Sequence, residues 1–165
     1  MTPGFRDKVN RFIAALKAAN ASVKISETYR SRERAYLMYY AYAIARENFS
    51  PTRVPTVEGV NICWLHGGSE GAPDLAASKK AAEQMVVAYN IAFKPTLNSL
   101  HVERRAIDMT IGWQGDLKIV DGVGIPISIR TDPRNGNNVA LHKIGATYGV
   151  IKLVSDPPHW SDSGR

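Results

Sequence analysis

The stretch Ser99-Leu100-His101-Val102-Glu103-Arg104-Arg105-Ala106-Ile107-Asp108 sets one imidazole and one carboxylate seven positions apart across a short charged turn. On an ideal helix, residues seven apart share a face but stand about 10.5 Å apart along the axis, too far to grip one ion. A helix is therefore the wrong host for this pair. Beyond the turn, Ile107, Met109 and Ile111 alternate with Asp108 and Thr110, the period of two of a half-buried strand. Asp108 then lies on the face opposite the apolar row. With Leu100 and His101 ending one strand and Ala106 to Ile111 beginning the next, the charged turn folds the carboxylate back toward the imidazole, and both can reach a single metal.

A second constellation, Ser155-Asp156-Pro157-Pro158-His159-Trp160, lies further along the chain. Each proline biases the residue before it toward extended geometry, so this segment is expected to be non-helical. Polyproline II, with three residues per turn, would place Asp156 and His159 on the same side. His101, Asp108 and His159 then form a set of three nitrogen and oxygen ligands that leaves a fourth position for water, as catalytic zinc requires. A carboxylate beside such a water can take its proton, and Asp156 is the candidate.

These motifs resemble a family of zinc peptidases that includes D-alanyl-D-alanine carboxypeptidases, vancomycin-resistance D,D-dipeptidases and phage endolysins cutting the L-alanyl-D-glutamate bond. The family pattern Ser-x-His-x-x-Gly-x-Ala-x-Asp is matched at Ser99, His101, Ala106 and Asp108, with Arg104 where glycine is usual. The acidic residue three before a final histidine is matched at Asp156 and His159, and an upstream Tyr-Arg-Ser at Tyr29, Arg30 and Ser31. The resemblance implies a hedgehog-type α+β fold, a small antiparallel sheet with flanking helices. It also implies zinc on His101, Asp108 and His159, Asp156 as general base, and Arg30 as a substrate or transition-state contact. Ser99 and Tyr29, from the same motifs, are expected at the substrate. The implied substrate is a peptide bond in peptidoglycan stem peptides or cross-links.

At 165 residues the chain is long enough for one domain with a real core, and residues 1–165 read as a single domain with a loop insertion at 48–73. Hydrophobic residues make up 44% and charged residues 22%, ordinary proportions for a soluble globular protein. The net charge of +6 favours anionic partners such as nucleic acid, anionic lipid or bacterial wall polymers. The basic residues are scattered without a nucleic-acid motif, so no nucleic-acid partner is expected. The lone Cys63 excludes an internal disulfide framework and reads as a buried or incidental thiol. Met1 to Asp7 has no apolar h-region, and no stretch approaches the roughly 18 apolar residues of a membrane span. The expectation is a monomer made in the cytoplasm without membrane insertion, reaching the wall in the periplasm or outside the cell after lysis or dedicated export.

In chain order, Phe5, Val9, Phe12, Ile13 and Leu16 predict a helix over 4–19. Val23 and Ile25 predict a short strand delivering Tyr29 and Arg30, and Ser31 caps a helix to about Glu47. Arg30 at that junction suits a developing oxyanion or a carboxylate. The tyrosines at 36, 39, 40 and 42 suit helical packing better than base stacking. Residues 48–73 are rich in proline and glycine, including Gly59, Gly67, Gly68 and Gly71, and hold Trp64 and His66, the latter taken as structural. Asp74 is expected to cap a helix to about Tyr89, and Leu117–Val120 with Ile125–Ile129 to form a hairpin. Residues 139–148 read as helix, with His142 a packing residue, and Val150–Val154 as a strand. Two other function classes fit the same residues: a non-catalytic wall-binding or phage structural module that keeps the fold, and a basic nucleic-acid binder.

Overall fold

The computed structural model describes residues 1–68 and 72–165. Among them the chain is α+β, with four α-helices, a four-stranded antiparallel sheet and two small two-stranded sheets. It divides into two compact units. One comprises Met1–Arg30 with Leu100–Arg165, and the other Ser31–Ser99.

The first unit opens with helix α1 (Pro3–Ala18), whose buried Phe5, Val9, Phe12 and Leu16 recur at the spacing that puts side chains on one helical face. Asn20, at φ +60, ends this segment and passes the chain to β1 (Ser22–Glu27). After the other unit come β4 (Ala106–Gly112), the hairpin β5 (Leu117–Val120) and β6 (Pro126–Ile129), helix α4 (Val139–Thr147), β7 (Ile151–Lys152) and β8 (His159–Ser161). The main sheet has the order β1-β4-β8-β7, every pair antiparallel. The alternation in β4 is as its sequence requires: Ile107, Met109 and Ile111 are buried, Asp108 is half-buried and Thr110 exposed. The apolar row packs with α1, the β5–β6 hairpin, α4 and Trp160 into one core. The opposite face of the sheet is left for Asp108 and its neighbours.

In the second unit, α2 (Arg32–Arg46) is capped by Ser31, whose hydroxyl accepts from the Arg34 amide. It packs on α3 (Leu75–Ala88), capped by Asp74, through Ala41, Ile44, Ala45, Ala82, Val86 and Ile91. Tyr36 and Tyr40 are buried, as packing requires. The 48–73 segment is more ordered than a plain loop. It holds a short 3₁₀ turn at Pro51–Arg53, and β2 (His66–Gly67) pairs with β3 (Pro73–Asp74). Trp64 donates to the Tyr36 hydroxyl, which donates to the Pro55 carbonyl, fastening the segment to α2. Part of that segment, Ser69 to Gly71, lies outside the described residues.

Three expectations change. Leu100 and His101 do not end a strand: residues 100–104 form a turn, closed by the Arg105 amide on the Leu100 carbonyl. Asp156 to His159 is not polyproline but a turn in which the His159 amide donates to the Asp156 carbonyl at 3.0 Å. The strand expected over 150–154 is only Ile151–Lys152. Cys63 is exposed, the incidental thiol of the two kinds expected.

Candidate metal centre

Asp108 and His159 are directly opposite on β4 and β8. The Met109 amide donates to the Pro158 carbonyl, so the ladder's hydrogen bonds flank the 108/159 pair rather than join it. Such a non-hydrogen-bonded pair brings its side chains closest together. His101 arrives from the 100–104 turn. Three ties hold that turn: the Arg30 and Arg104 amides both donate to the His101 carbonyl, and the Thr2 amide to the Arg104 carbonyl. Arg104 itself has φ +61, the left-handed region that favours glycine, and its guanidinium stacks on the Tyr29 ring at 4.5 Å. The backbone shape that glycine would supply is thus reached by an arginine held on an aromatic face.

The three side chains converge on one point. His101 Nε2 lies 3.0 Å from Asp108 Oδ1 and 3.1 Å from His159 Nδ1, and His159 Nδ1 lies 3.2 Å from Asp108 Oδ1. Both histidines are buried and the carboxylate is half-buried. His159 Nε2 lies 3.3 Å from the Arg165 carbonyl oxygen, and the tautomer that donates there is the one whose Nδ1 lone pair a metal would use. Burial pushes the Asp108 carboxyl up, but hydrogen bonds and charge from His101 and His159 outweigh it and hold it well below the ordinary carboxylate range.

Protons alone do not satisfy this triangle. The carboxylate oxygen only accepts, and whichever imidazole nitrogens carry hydrogen, one edge pairs two donors or two acceptors. A cation can meet three lone pairs at once. Zinc bonds of about 2.0–2.1 Å at tetrahedral angles separate ligand atoms by roughly 3.3 Å, close to the spacing here. Among the described residues, these three form the group of histidine and acidic side chains able to hold a metal ion.

The other expected site residues are placed as follows. The Arg30 side chain is 12% exposed and forms a two-armed ion pair with Glu27, through Nε at 3.2 Å and through Nη2. Glu27 sits opposite Asp108 across a bulge in β1, so the pair borders the centre. Tyr29 is exposed beneath Arg104. Asp156 is exposed, and its carboxylate is not one of the three converging groups. Ser99 closes the other unit, half-buried. His66, with Cys63, lines a separate cavity of about 210 Å³ in that unit, and His142 packs on Trp160.

Two residues were missed. Glu27 could have been found by its i, i+3 spacing to Arg30 at the end of a strand. Lys152 is the single charge in the apolar run Val150-Ile151-Lys152-Leu153-Val154, and a lone cation there is a signal of its own. Its ammonium is buried and donates to the carbonyls of Leu153, Asp156 and His159, pinning the turn that carries His159. Burial pushes its pKa down, and the charges of Asp156 and Asp108 offset part of that. Compared with family models, curated proteins and solved structures, the chain has no significant match.

Proposed function

We propose that this protein is a zinc peptidase with a hedgehog-type fold, hydrolysing a peptide bond in peptidoglycan stem peptides or cross-links. The observation that carries the proposal is the buried triangle of His101 Nε2, Asp108 Oδ1 and His159 Nδ1, with edges of 3.0 to 3.2 Å. A structural zinc site normally has four protein ligands, whereas three ligands are the mark of a catalytic one. Bound there, zinc supplies Lewis acidity toward a carbonyl oxygen and lowers the pKa of a coordinated water to roughly 7.

The remaining work belongs to the chain. Asp156 takes a proton from the attacking water and returns it to the departing amine as the carbon–nitrogen bond breaks. Its support is its position three residues before His159, within the field of the same Lys152 ammonium that feels Asp108. Arg30, fixed by Glu27 beside Asp108, presents positive charge where the carbonyl oxygen gains negative charge. Tyr29, stacked under Arg104 in the same unit as the three converging side chains, contacts the substrate.

The test joins metal content to turnover. Elemental analysis of protein purified without chelator is expected to give one zinc per chain, and His159→Ala to lose both the zinc and hydrolysis of a stem pentapeptide. Metal-free wild-type protein with full activity would refute the proposal.

A further inference from the structure

The strand that carries Asp108 has an open edge immediately beyond it. In β4 and at the residue after it, the backbone groups of Met109, Ile111 and Trp113 point away from β1. The Met109 amide donates to Pro158, the Ile111 carbonyl accepts from the Gly136 amide, and the Trp113 amide donates to Arg134. The register of β4 with β8 sets Pro158 opposite Met109, and proline has no N–H to return. Beyond it, the Asp156 amide turns back to the Leu153 carbonyl. Among the described residues, no hydrogen bond reaches the Met109 carbonyl or the Ile111 amide. One acceptor and one donor therefore face the gap between Pro158 and Gly136.

That gap is a cavity of about 320 Å³, lined on its strand side by Met109, Thr110 and Ile111 and on its walls by Asn135, Gly136, Pro157 and Pro158. The volume falls within the roughly 300–1,000 Å³ of ligand pockets. Its strand floor is continuous with Asp108, and its proline wall with His159. A Cβ built on Gly136 would stand 3.9 Å from the Ile111 nitrogen, an ordinary contact, so it is a longer side chain at this position that would crowd the donor.

We infer that this edge binds the substrate's own backbone: an extended segment of peptide beside the scissile bond lies along Met109–Ile111, giving an N–H to the Met109 carbonyl and a C=O to the Ile111 amide. Strand addition of this kind takes affinity from main-chain hydrogen bonds and is tolerant of side-chain identity. The occupant is a peptide because the two groups offer the donor and acceptor pattern of a strand edge, and because the cavity adjoins the metal ligands. The inference rests on the peptidase proposal for the identity of that peptide.

The test uses the stem pentapeptide L-Ala-γ-D-Glu-L-Lys-D-Ala-D-Ala and its singly N-methylated analogues with wild-type protein, alongside amide hydrogen exchange at Ile111. Saturating peptide should slow exchange at Ile111, and methylation of one particular amide should raise KM by about five- to tenfold, the loss of one hydrogen bond. Gly136→Leu, which fills the cavity, should abolish the slowing while zinc content and the amide spectrum of the core stay as in wild type. Hydrolysis with no change at Ile111 and no methylation effect would overturn the inference and leave the peptidase proposal standing. Slowed exchange that Gly136→Leu removes, without any hydrolysis, would uphold the peptide-binding edge and defeat the peptidase proposal. Neither hydrolysis nor slowing would defeat both.

Discussion

At the scale of single residues, the proposed chemistry needs His101, Asp108 and His159 as metal ligands and Asp156 and Arg30 at the substrate. His101→Ala removes one corner of the triangle and should abolish stoichiometric zinc binding, read by elemental analysis or calorimetric titration. Asp156→Asn keeps the ligand set but cannot accept and return a proton, so it should retain zinc and lose about 10²- to 10⁴-fold in kcat. A variant within a few-fold of wild type would remove Asp156 from the chemistry. Arg30→Ala should lower kcat more than it raises KM, because the charge it opposes is greatest in the transition state. A rise in KM alone would make Arg30 a ground-state carboxylate contact instead. Lysine at this position offers a point charge without the planar fork that grips Glu27, so Arg30→Lys should rescue only in part.

At the scale of elements, β8 takes its register from β4 and β7, and α4 packs against its Trp160. Gly145 lets α4 approach Trp160 closely: a Cβ there would stand 2.8 Å from both the Trp160 ring and the Val150 carbonyl. Gly145→Ala should therefore destabilise the protein by about 1–3 kcal/mol, the usual cost of overpacking, measured by denaturant unfolding. The same helix starts at Asn138, whose buried side chain accepts from the Ala140 and Leu141 amides and donates to the Thr131 and Pro133 carbonyls. Losing this cap in Asn138→Ala should cost about 1–2 kcal/mol or more. These elements were largely legible in the sequence, because period-two alternation in β4, apolar spacing in α1 and capping residues at Ser31 and Asp74 act locally, although the Asn138 cap was not read. The turns around the centre were not. A left-handed Arg104 is sustained by ties to Thr2 and by Tyr29, and the Asp156–His159 turn by Lys152, all contacts that local proline and glycine rules do not contain.

At the scale of the whole molecule, the candidate centre belongs to the unit built from the two ends of the described chain, with Ser31–Ser99 forming a unit of its own. The sequence reads as one domain because no internal repeat, low-complexity tract or linker divides it. No helix among the described residues is long and apolar enough to cross a membrane. If the triangle binds zinc in the folded state alone, zinc at a thousand times its Kd should add about 4 kcal/mol and raise the melting temperature by about 8–16 °C for a chain of this size. Calorimetry with and without chelator reads that shift directly, and equal melting temperatures would speak against a bound metal. The most direct measurement of the central claim is digestion of purified peptidoglycan by untreated, chelator-treated and zinc-restored protein, with mass analysis of the fragments. The expected result is release of defined peptide fragments by the untreated protein, their loss with chelator and their return with zinc. Intact peptidoglycan under all three conditions, or the same fragments with and without chelator, would contradict it.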